Sequence, residues 1–291
     1  MYKIIFLFTI TIIVFNSCKT SVKTNDLKTM NIYGNVETLI ETSNTVEVKF
    51  GEIRKKENDW TKTIYTFSKT GNFLDIYSEY FDGFLYKNTY KYDENDNKIE
   101  YNDWNFDGSL KYKTTYKYDE NGKMLEENHY YDDGSLNYRT IYIYDNKLNN
   151  IERIGYKSDG SIESKSLYEY NNFGLEIEFK SFTSDGRLVF HTTNEYDKNG
   201  NNIENKTLIS PFEKTIGIAK HKRNNEGNII QTTYYDLSGN LMDSFSYSYD
   251  DKGNPTNNTQ YKYDRKGNWI EKIEFDENKP VFIIEREFKY Y

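Results

Sequence analysis

The stretch LKYKTTYKYDENGKMLEENHYYDDGSL, residues 110–136, decides the fold of this chain. Within residues 110–118, apolar and aromatic side chains alternate with Lys and Thr. An alternation of period two is typical of a half-buried strand, whereas an amphipathic helix repeats its apolar residues every three or four positions. Two turn signals interrupt the alternation, one at residues 119–122 and the other at Asp133-Gly134. The stretch therefore predicts successive strands joined by tight turns.

Both turn signals recur with a period of 26 residues. The first falls at Asp93, Asp119, Asp145, Asn171 and Asp197, and the second at Asp107, Asp133, Asp159 and Asp185. Successive signals therefore alternate at spacings of 14 and 12 residues. With one spacing of 13, the series continues through Pro211, Asn224, Ser238, Asp250, Asp264 and Asp276. A period this regular indicates a repeat protein.

The two signals differ in chemistry. The first reads Tyr-Asp-x-x-Gly, in which Asp caps the turn and the glycine takes a positive φ, so it predicts a type I turn with a glycine bulge. The second, a bare Asp-Gly pair, is a strong hairpin signal by itself. The first kind is predicted at Asp93, Asp119 and Gly122, Asp145, Asp197 and Gly200, Asp250 and Gly253, and Asp264 and Gly267. The second kind is predicted at Asp107 and Gly108, Asp133 and Gly134, Asp159 and Gly160, and Asp185 and Gly186.

The runs between the turns set the fold class. About ten residues make a strand of roughly 33 Å, and no crossover helix fits between neighbours. Tyr, Phe and Trp make up 17% of the chain and Ala219 is its one alanine, which also disfavours an all-helical protein. The predicted fold is all-β, a long antiparallel meander of about 18–20 strands from 26-residue two-hairpin repeats. Because open sheets rarely exceed about ten strands without curling or closing, we expect a coiled or solenoid-like sheet, with a closed barrel as the alternative.

The N-terminus has the layout of an export signal. Lys3 precedes an apolar run over residues 4–15, and Ser17 then precedes Cys18, the single cysteine of the chain. This arrangement resembles the lipobox of bacterial lipoproteins, which implies a signal peptide at 1–17, a lipidated tether at 18–30 and a repeat domain at 31–291. The resemblance further implies a lipid bilayer anchor through acylated Cys18 at the outer membrane, because no Asp follows the cysteine. The alternative is an ordinary cleaved signal with an incidental cysteine.

The repeat also resembles a known family. Tyr116–Gly122 and Tyr261–Asn268 look like the tyrosine-aspartate (YD) repeats of the Rhs family, which build β-strand spirals in large surface and toxin-delivery proteins. The Asp-Gly half-units are similar to MORN-type hairpins and to related antitoxin-type repeat proteins. The chain departs from the Rhs pattern in its regular period, in lacking a core terminator, and in having no toxin-like tail after Tyr291. The resemblance implies a small repeat lipoprotein of the kind found in the Bacteroidetes.

Candidate catalytic groups are repeated rather than singular. A column of carboxylates recurs at Glu100, Glu126, Glu152, Glu178 and Glu204, with Glu271 in register near the end. Equal copies indicate a repeat consensus on a solvent-facing, Lys-rich side of the sheet, where cross-strand pairs contribute about 0.2–1 kcal/mol each. His129, His191 and His221 lack a second ligand at metal spacing, and no phosphate loop, nucleophile elbow or zinc motif occurs. We therefore predict no catalytic residue, no metal and no cofactor.

Candidate binding residues are those that leave the repeat. Trp60, Trp104 and Trp269 are not repeated, whereas the tyrosine columns are interpreted as cross-strand pairs that hold the sheet together. Residues 205–223 break the pattern, with Pro211 and Phe212 in place of an Asp-Gly turn, which predicts a bulge or an edge-like loop. A net charge of −8 lacks the basic footprint of a nucleic-acid-binding protein.

These features predict a non-catalytic, outer-membrane lipoprotein whose sheet is a scaffold for a protein or glycan partner. An immunity or antitoxin-type partner of a toxin is the first alternative. A carbohydrate-active enzyme that uses carboxylates of the sheet and a purely structural envelope component are the others.

Overall fold

The fold was obtained as a computed structural model, which describes residues 24–83, 85–209 and 214–291. These residues form a single helical turn and 19 strands of one antiparallel sheet, so the all-β prediction is confirmed. The elements are α1 (Asp26–Thr29), β1 (Val36–Lys49), β2 (Glu52–Phe67), β3 (Phe73–Tyr80), β4 (Leu85–Tyr92), β5 (Lys98–Trp104), β6 (Leu110–Tyr118), β7 (Met124–Tyr131), β8 (Leu136–Tyr144), β9 (Asn150–Lys157), β10 (Ile162–Tyr170), β11 (Glu176–Thr183), β12 (Leu188–Tyr196), β13 (Asn202–Ile209), β14 (Lys214–Arg223), β15 (Ile229–Tyr235), β16 (Leu241–Ser246), β17 (Thr259–Tyr263), β18 (Trp269–Asp276) and β19 (Lys279–Tyr290).

Most strands pair with their neighbours in sequence, as a meander requires. The exception is β1, which lies between β2 and β19, with Leu39 opposite both Tyr65 and Phe288. The two edges of the sheet therefore fall at β16 and β17. Within the described residues no ladder joins these two strands, and a single bridge between Tyr249 and Pro255 links their connection. The sheet is open rather than closed into a barrel, as expected for a coiled or solenoid-like meander.

The Tyr-Asp turn is capped by its aspartate. The backbone N–H of Asp119 donates to the Lys123 carbonyl at 2.9 Å, and the N–H of Gly122 donates to the Asp119 carbonyl at 3.1 Å. Oδ1 of Asp119 accepts the N–H groups of Asn121 at 2.9 Å and Lys123 at 2.7 Å. The bond from Lys123 is the main cause that lowers the pKa of Asp119. With Gly122 at a φ of 75°, this is a type I turn with a glycine bulge.

The Asp-Gly pairs use the same backbone turn. The N–H of Tyr131 donates to the Ser135 carbonyl, and the N–H of Gly134 donates to the Tyr131 carbonyl, at 3.0 and 3.1 Å. Asp133 is therefore the third residue of its turn, and its Oδ1 accepts the N–H of Ser135 at 2.8 Å. Counted from the first residue of each turn, the short interval follows a Tyr-Asp turn and the long interval follows an Asp-Gly turn. This order is the reverse of the sequence-based expectation, because the two kinds of Asp occupy different places in one turn.

The tyrosine of each Tyr-Asp turn closes the open end of an Asp-Gly hairpin. In β6, the Tyr118 hydroxyl donates to the Lys98 carbonyl of β5 at 2.8 Å. Burial raises the pKa of Tyr118 to about 12, so the hydroxyl remains a donor at neutral pH. The same bond, always to the residue 20 positions earlier, is made by Tyr144 to Met124, Tyr170 to Asn150, Tyr196 to Glu176, and Tyr249 to Ile229.

One predicted strand is replaced by a short reversal. Two Tyr-Asp turns, at residues 249–253 and 263–267, follow each other without an Asp-Gly turn between them. Both lie at the same edge of the sheet, so the intervening chain has to turn back. It does so at Asn258, whose φ is 55°, after a stub that is bridged to Tyr249 at Pro255. The expectation of one continuous strand between these turns is therefore wrong, and β17 has only 5 residues.

The compact apolar core lies where β1 enters the sheet. Leu27, Ile32, Val36, Leu39 and Phe67 are buried there. Elsewhere the sheet is a single layer: the accessible surface is 19730 Å², compared with roughly 13,000 Å² for a compact monomer of this mass. No helix within the described residues has the length and apolar character that a membrane crossing requires. The predicted signal peptide, Cys18, Pro211 and Phe212 lie outside the described residues.

Removing one tyrosine hydroxyl tests its role in closing a hairpin. Tyr118→Phe loses the bond to Lys98 and leaves a carbonyl unpaired at the hairpin end, so we expect the free energy of unfolding to fall by about 1 kcal/mol. Urea denaturation followed by circular dichroism measures this change. The control is Tyr131→Phe, because Tyr131 is 50% exposed and its hydroxyl has no hydrogen bond within the described residues. Equal effects of the two changes would contradict the interpretation.

Candidate binding site

The repeated glutamates lie in cross-strand ion pairs. Glu100 of β5 contacts Lys91 of β4 and Lys113 of β6, each at 2.8 Å. The corresponding pairs are Glu126 with Lys117, Glu152 with Lys165, Glu178 with Lys180 and His191, Glu204 with Lys220, and Glu271 with Lys262, at 2.6–3.0 Å. The column is thus a ladder of alternating charge along one face of the sheet, in which each carboxylate has a cation beside it.

The pKa values of this ladder suit ion pairing. Burial alone raises the pKa of Glu100, but hydrogen bonds from Asn102, Lys113 and Lys91 outweigh it and lower the pKa to about 2. The pKa of Glu126 is also lowered: burial opposes the shift, and hydrogen bonds from Asn128 and Lys117 outweigh it. A general acid needs a carboxyl group that stays protonated near neutral pH. These two carboxylates are ionised there.

Each histidine is held by neighbouring side chains. Nδ1 of His129 lies 3.0 Å from the Thr114 hydroxyl, and its Nε2 lies 3.1 Å from Glu127. This order of groups is that of a nucleophile, a base and an orienting acid, but Thr114 is only 3% exposed and no substrate reaches its hydroxyl. Sequence reasoning missed this contact because the three residues lie on two strands. Among the described residues, no group of His, Cys, Asp and Glu is arranged to hold a metal ion.

The three tryptophans do not form one surface. Trp60 lies on β2, Trp104 on β5 and Trp269 on β18, so the outer two are each three strands away from β2. Nε1 of Trp104 donates to the Thr89 hydroxyl at 3.1 Å. The guanidinium of Arg286 lies 3.5 Å from the ring centre of Trp269. The contacts of Trp104 and Trp269 are therefore internal to the sheet.

The irregular unit begins with a bulge. The pairing of β13 with β14 shifts between Thr207 and Leu208, and the residue opposite Thr207 is Gly217. Gly217 has a φ of 121°, and a Cβ atom there would lie 2.4 Å from the Tyr235 carbonyl oxygen. Only glycine fits so close to the neighbouring backbone, which explains how the unit accommodates an extra residue.

Two repeat tyrosines are replaced in this unit. His221 and Arg223 stand 26 residues before Tyr247 and Tyr249. Nδ1 of His221 lies 3.0 Å from the Thr232 hydroxyl. Arg223 donates from Nε to the Asn202 carbonyl at 3.1 Å, as a repeat tyrosine would, and from Nη1 to the Gly227 carbonyl at 2.7 Å. Burial lowers the pKa of both side chains, so His221 is neutral at pH 7 while the guanidinium keeps its charge.

Two neighbouring clefts border the turn at residues 224–227. The first, of about 470 Å³, is lined by His221 and Arg223 together with Asp197, Glu226 and amide side chains. The second, of about 500 Å³, lies between the turns at residues 224–227 and 250–253. One guanidinium, two carboxylates and several amides make the first cleft rich in hydrogen-bonding groups of both kinds. This cleft is the candidate binding site.

Comparison with known proteins adds no family. No family model matches the sequence, and no curated protein matches it. Among solved structures, TcdB2-TccC3 is similar with a TM-score of 0.39 and 13% identity over 79% of this chain, which spans 15% of that chain. A porin-like protein from Bacteroides uniformis ATCC 8492 is similar with a TM-score of 0.39 and 11% identity, over 87% of this chain and 96% of that one. Likeness at these values carries no functional argument.

Acid titration tests the ion-pair ladder. Because the folded pKa of Glu100 is lowered, its stabilisation is complete above the unfolded pKa of about 4.3 and is lost as the pH falls toward 2. Glu100→Gln is therefore expected to reduce the free energy of unfolding at pH 7 by about 1 kcal/mol, since its lysine partners are exposed. Near pH 2.5 the variant and the natural protein should converge.

Urea denaturation at the two pH values measures this difference, with Glu120→Gln as the control. Glu120 is exposed within the turn at residues 119–122 and is expected to change stability little at either pH. A deficit of Glu100→Gln that persists unchanged at pH 2.5 would contradict the ion-pair account.

Proposed function

We propose that this chain is a non-catalytic, outer-membrane lipoprotein whose repeat sheet binds a protein or glycan partner at its irregular unit. The observation that carries the proposal is a coincidence of place. The two clefts border the same turn, at residues 224–227, and the unit that ends there is the one in which His221 and Arg223 replace repeat tyrosines. A uniform repeat offers the same groups at every step, so a distinct ligand is best recognised where the groups change.

The first cleft can bind a polar ligand directly. Nε and Nη1 of Arg223 are occupied by backbone carbonyls, and Nη2 has no acceptor among the described residues. Asp197 and Glu226 provide acceptors on the same cleft. Donors and acceptors at fixed positions are what hydroxyl groups of a glycan or amides of a peptide require.

The paired carboxylates support a non-catalytic role. Glycoside hydrolysis needs one carboxylic acid and one carboxylate across the scissile bond. Lysines neutralise the glutamate ladder, and the lowered pKa values of Glu100 and Glu126 keep these two groups ionised.

The path of the tether supports an anchored scaffold. Asn25 donates from Nδ2 to the Thr70 carbonyl at 2.6 Å, so the chain enters the sheet at the edge formed by the Tyr-Asp turns. Seven residues separate Cys18 from Asn25, a reach of at most about 25 Å. If Cys18 is acylated, this edge faces the bilayer and the Asp-Gly edge points away from it.

Restoring the consensus residues tests the binding site. In the double variant His221→Tyr/Arg223→Tyr, the repeat tyrosines return, so the fold should be kept while the distinct groups of the cleft are lost. We expect capture of the partner, measured by affinity purification from cross-linked envelopes and by glycan arrays, to fall at least about tenfold. Arg187→Tyr makes the same exchange at an exposed turn outside the cleft and should bind normally.

Unchanged capture by the double variant would contradict the proposed site. Turnover in a broad hydrolase screen, abolished by Glu126→Gln, would contradict the non-catalytic role. A captured toxin would identify the partner class of the immunity alternative.

Metabolic labelling tests the anchor. A palmitate analogue should label the natural chain and not Cys18→Ser, because the thiol is the predicted acceptor of the acyl group. In-gel fluorescence of the purified chain measures the label. Equal labelling of both chains would overturn the lipid anchor.

A further inference from the structure

The edge strand β16 is open along one side. All of its residues are exposed, and the exposed fractions of Leu241 and Met242 are 65% and 60%. One side of β16 pairs with β15, from Ser246 opposite Gln231 to Leu241 opposite Tyr235. On the other side the stub turns back at residue 258, and no described strand follows along residues 241–245. An exposed edge with apolar side chains is a template for another strand.

The direction of the backbone groups follows from the ladder. The N–H of Tyr247 donates to the Ile230 carbonyl at 2.9 Å, so these two residues form a hydrogen-bonded pair. Because such pairs alternate along an antiparallel ladder, Asp243 and Phe245 face β15 with their backbone groups. Ser244 and Ser246 therefore direct their N–H and C=O groups toward the open side.

Side chains occupy part of this edge. Asn257 donates from Nδ2 to the Ser246 carbonyl at 2.8 Å, as a neighbouring strand would. The N–H of Ser244 donates to the carboxylate of its neighbour Asp243 at 2.7 Å. Both contacts are local, exposed substitutes for a ladder, so an incoming strand can displace them. Asp243 has no cationic partner among the described residues.

We propose that the open edge of β16 binds an extended polypeptide segment as an added antiparallel strand. The inference rests on the proposed binding function and deepens it, since it makes the partner a polypeptide. Main-chain hydrogen bonds give such binding its affinity, and alternate side chains give it specificity. Five residues, 241–245, offer roughly 17 Å of edge.

The side chains of the edge specify the segment. Asp243 and Phe245 lie on the face that carries Tyr234, whose ring centre is 6.0 Å from that of Phe245. Opposite them, charge and shape call for Lys or Arg beside Asp243 and an aromatic residue beside Phe245. Met242, on the other face, suits a β-branched apolar neighbour.

A second copy of this chain fits the edge less well. Pairing two β16 strands across a two-fold axis brings two Asp243 carboxylates toward each other with no cation between them. A contact of one short strand also falls below the about 1,000 Å² of a specific interface between globular proteins. The net charge of −8 adds repulsion between copies.

The probe is a fluorescent peptide, acetyl-Thr-Tyr-Thr-Lys-Ile-Thr-amide, which places Tyr opposite Phe245 and Lys opposite Asp243. We expect saturable binding to the full chain by fluorescence anisotropy, with slower amide exchange of residues 241–246. Methylating the nitrogen of the third peptide residue removes a ladder bond and should weaken binding at least about tenfold. Replacing Lys by Glu in the peptide should also weaken it.

Two changes in the protein test the same edge. Ser244→Pro removes an N–H on the open side, where an edge strand tolerates Pro, and should abolish binding while circular dichroism and the melting temperature stay near those of the natural chain. Asp243→Asn should weaken the Lys peptide and leave a Gln-substituted peptide unaffected. Asp251→Asn, an exposed charge in the turn at residues 250–253, is the matched control and should bind normally.

Equal binding of the N-methylated peptide, or undiminished binding by folded Ser244→Pro, would overturn the proposal. So would a dimer in sedimentation that Ser244→Pro dissociates, because a second copy would then be the occupant. The double variant His221→Tyr/Arg223→Tyr separates this inference from the proposed cleft. It should still bind the peptide, and if it also captures the partner normally, the cleft fails while the edge stands.

Discussion

A four-residue turn with glycine in its fourth position is the constraint on which this structure depends. Gly122 and Gly134 take φ values of 75° and 81°, which a side chain would strain. An Asp carboxylate accepts the N–H of the residue after the glycine, from the first position in one turn and from the third in the other. The turns leave no residues for a crossover, so most strands pair with their predecessors. The architecture thus follows from one reversal, made with two arrangements of the same residues.

A one-layer sheet is stabilised differently from a globular domain. Nine apolar residues are buried, and five of them belong to the single cluster where β1 enters between β2 and β19. Elsewhere the ladders are supported by tyrosine hydroxyls, by cross-strand aromatic pairs and by the ladder of Glu and Lys. Each contributes on the order of 1 kcal/mol or less, so stability is distributed along the repeat.

Distributed stability makes the departures from the repeat informative. Arg223 replaces a tyrosine and still donates to the carbonyl that a tyrosine would reach, so the fold tolerates the exchange while a new charge enters a cleft. Next along the chain, two Tyr-Asp turns without an Asp-Gly turn between them shorten a strand and leave the edge of β16 open. The cleft and the edge are consecutive features of one interrupted region. The same region joins the two edges of the sheet.

The sequence by itself determined what neighbouring residues decide. The strand type, the positions of the turns and the Lys-rich face of the glutamate column could all be predicted, because alternation and turn chemistry act within a few residues. The anchor at Cys18 and the loop at Pro211 and Phe212 stay predictions. Only the tertiary structure decided that β1 lies beside β19, that Tyr118 bonds to Lys98, and that the three tryptophans lie apart. These outcomes depend on which distant backbone groups pair, and for that reason neither the open edge nor the cleft beside Arg223 could be predicted from local pattern.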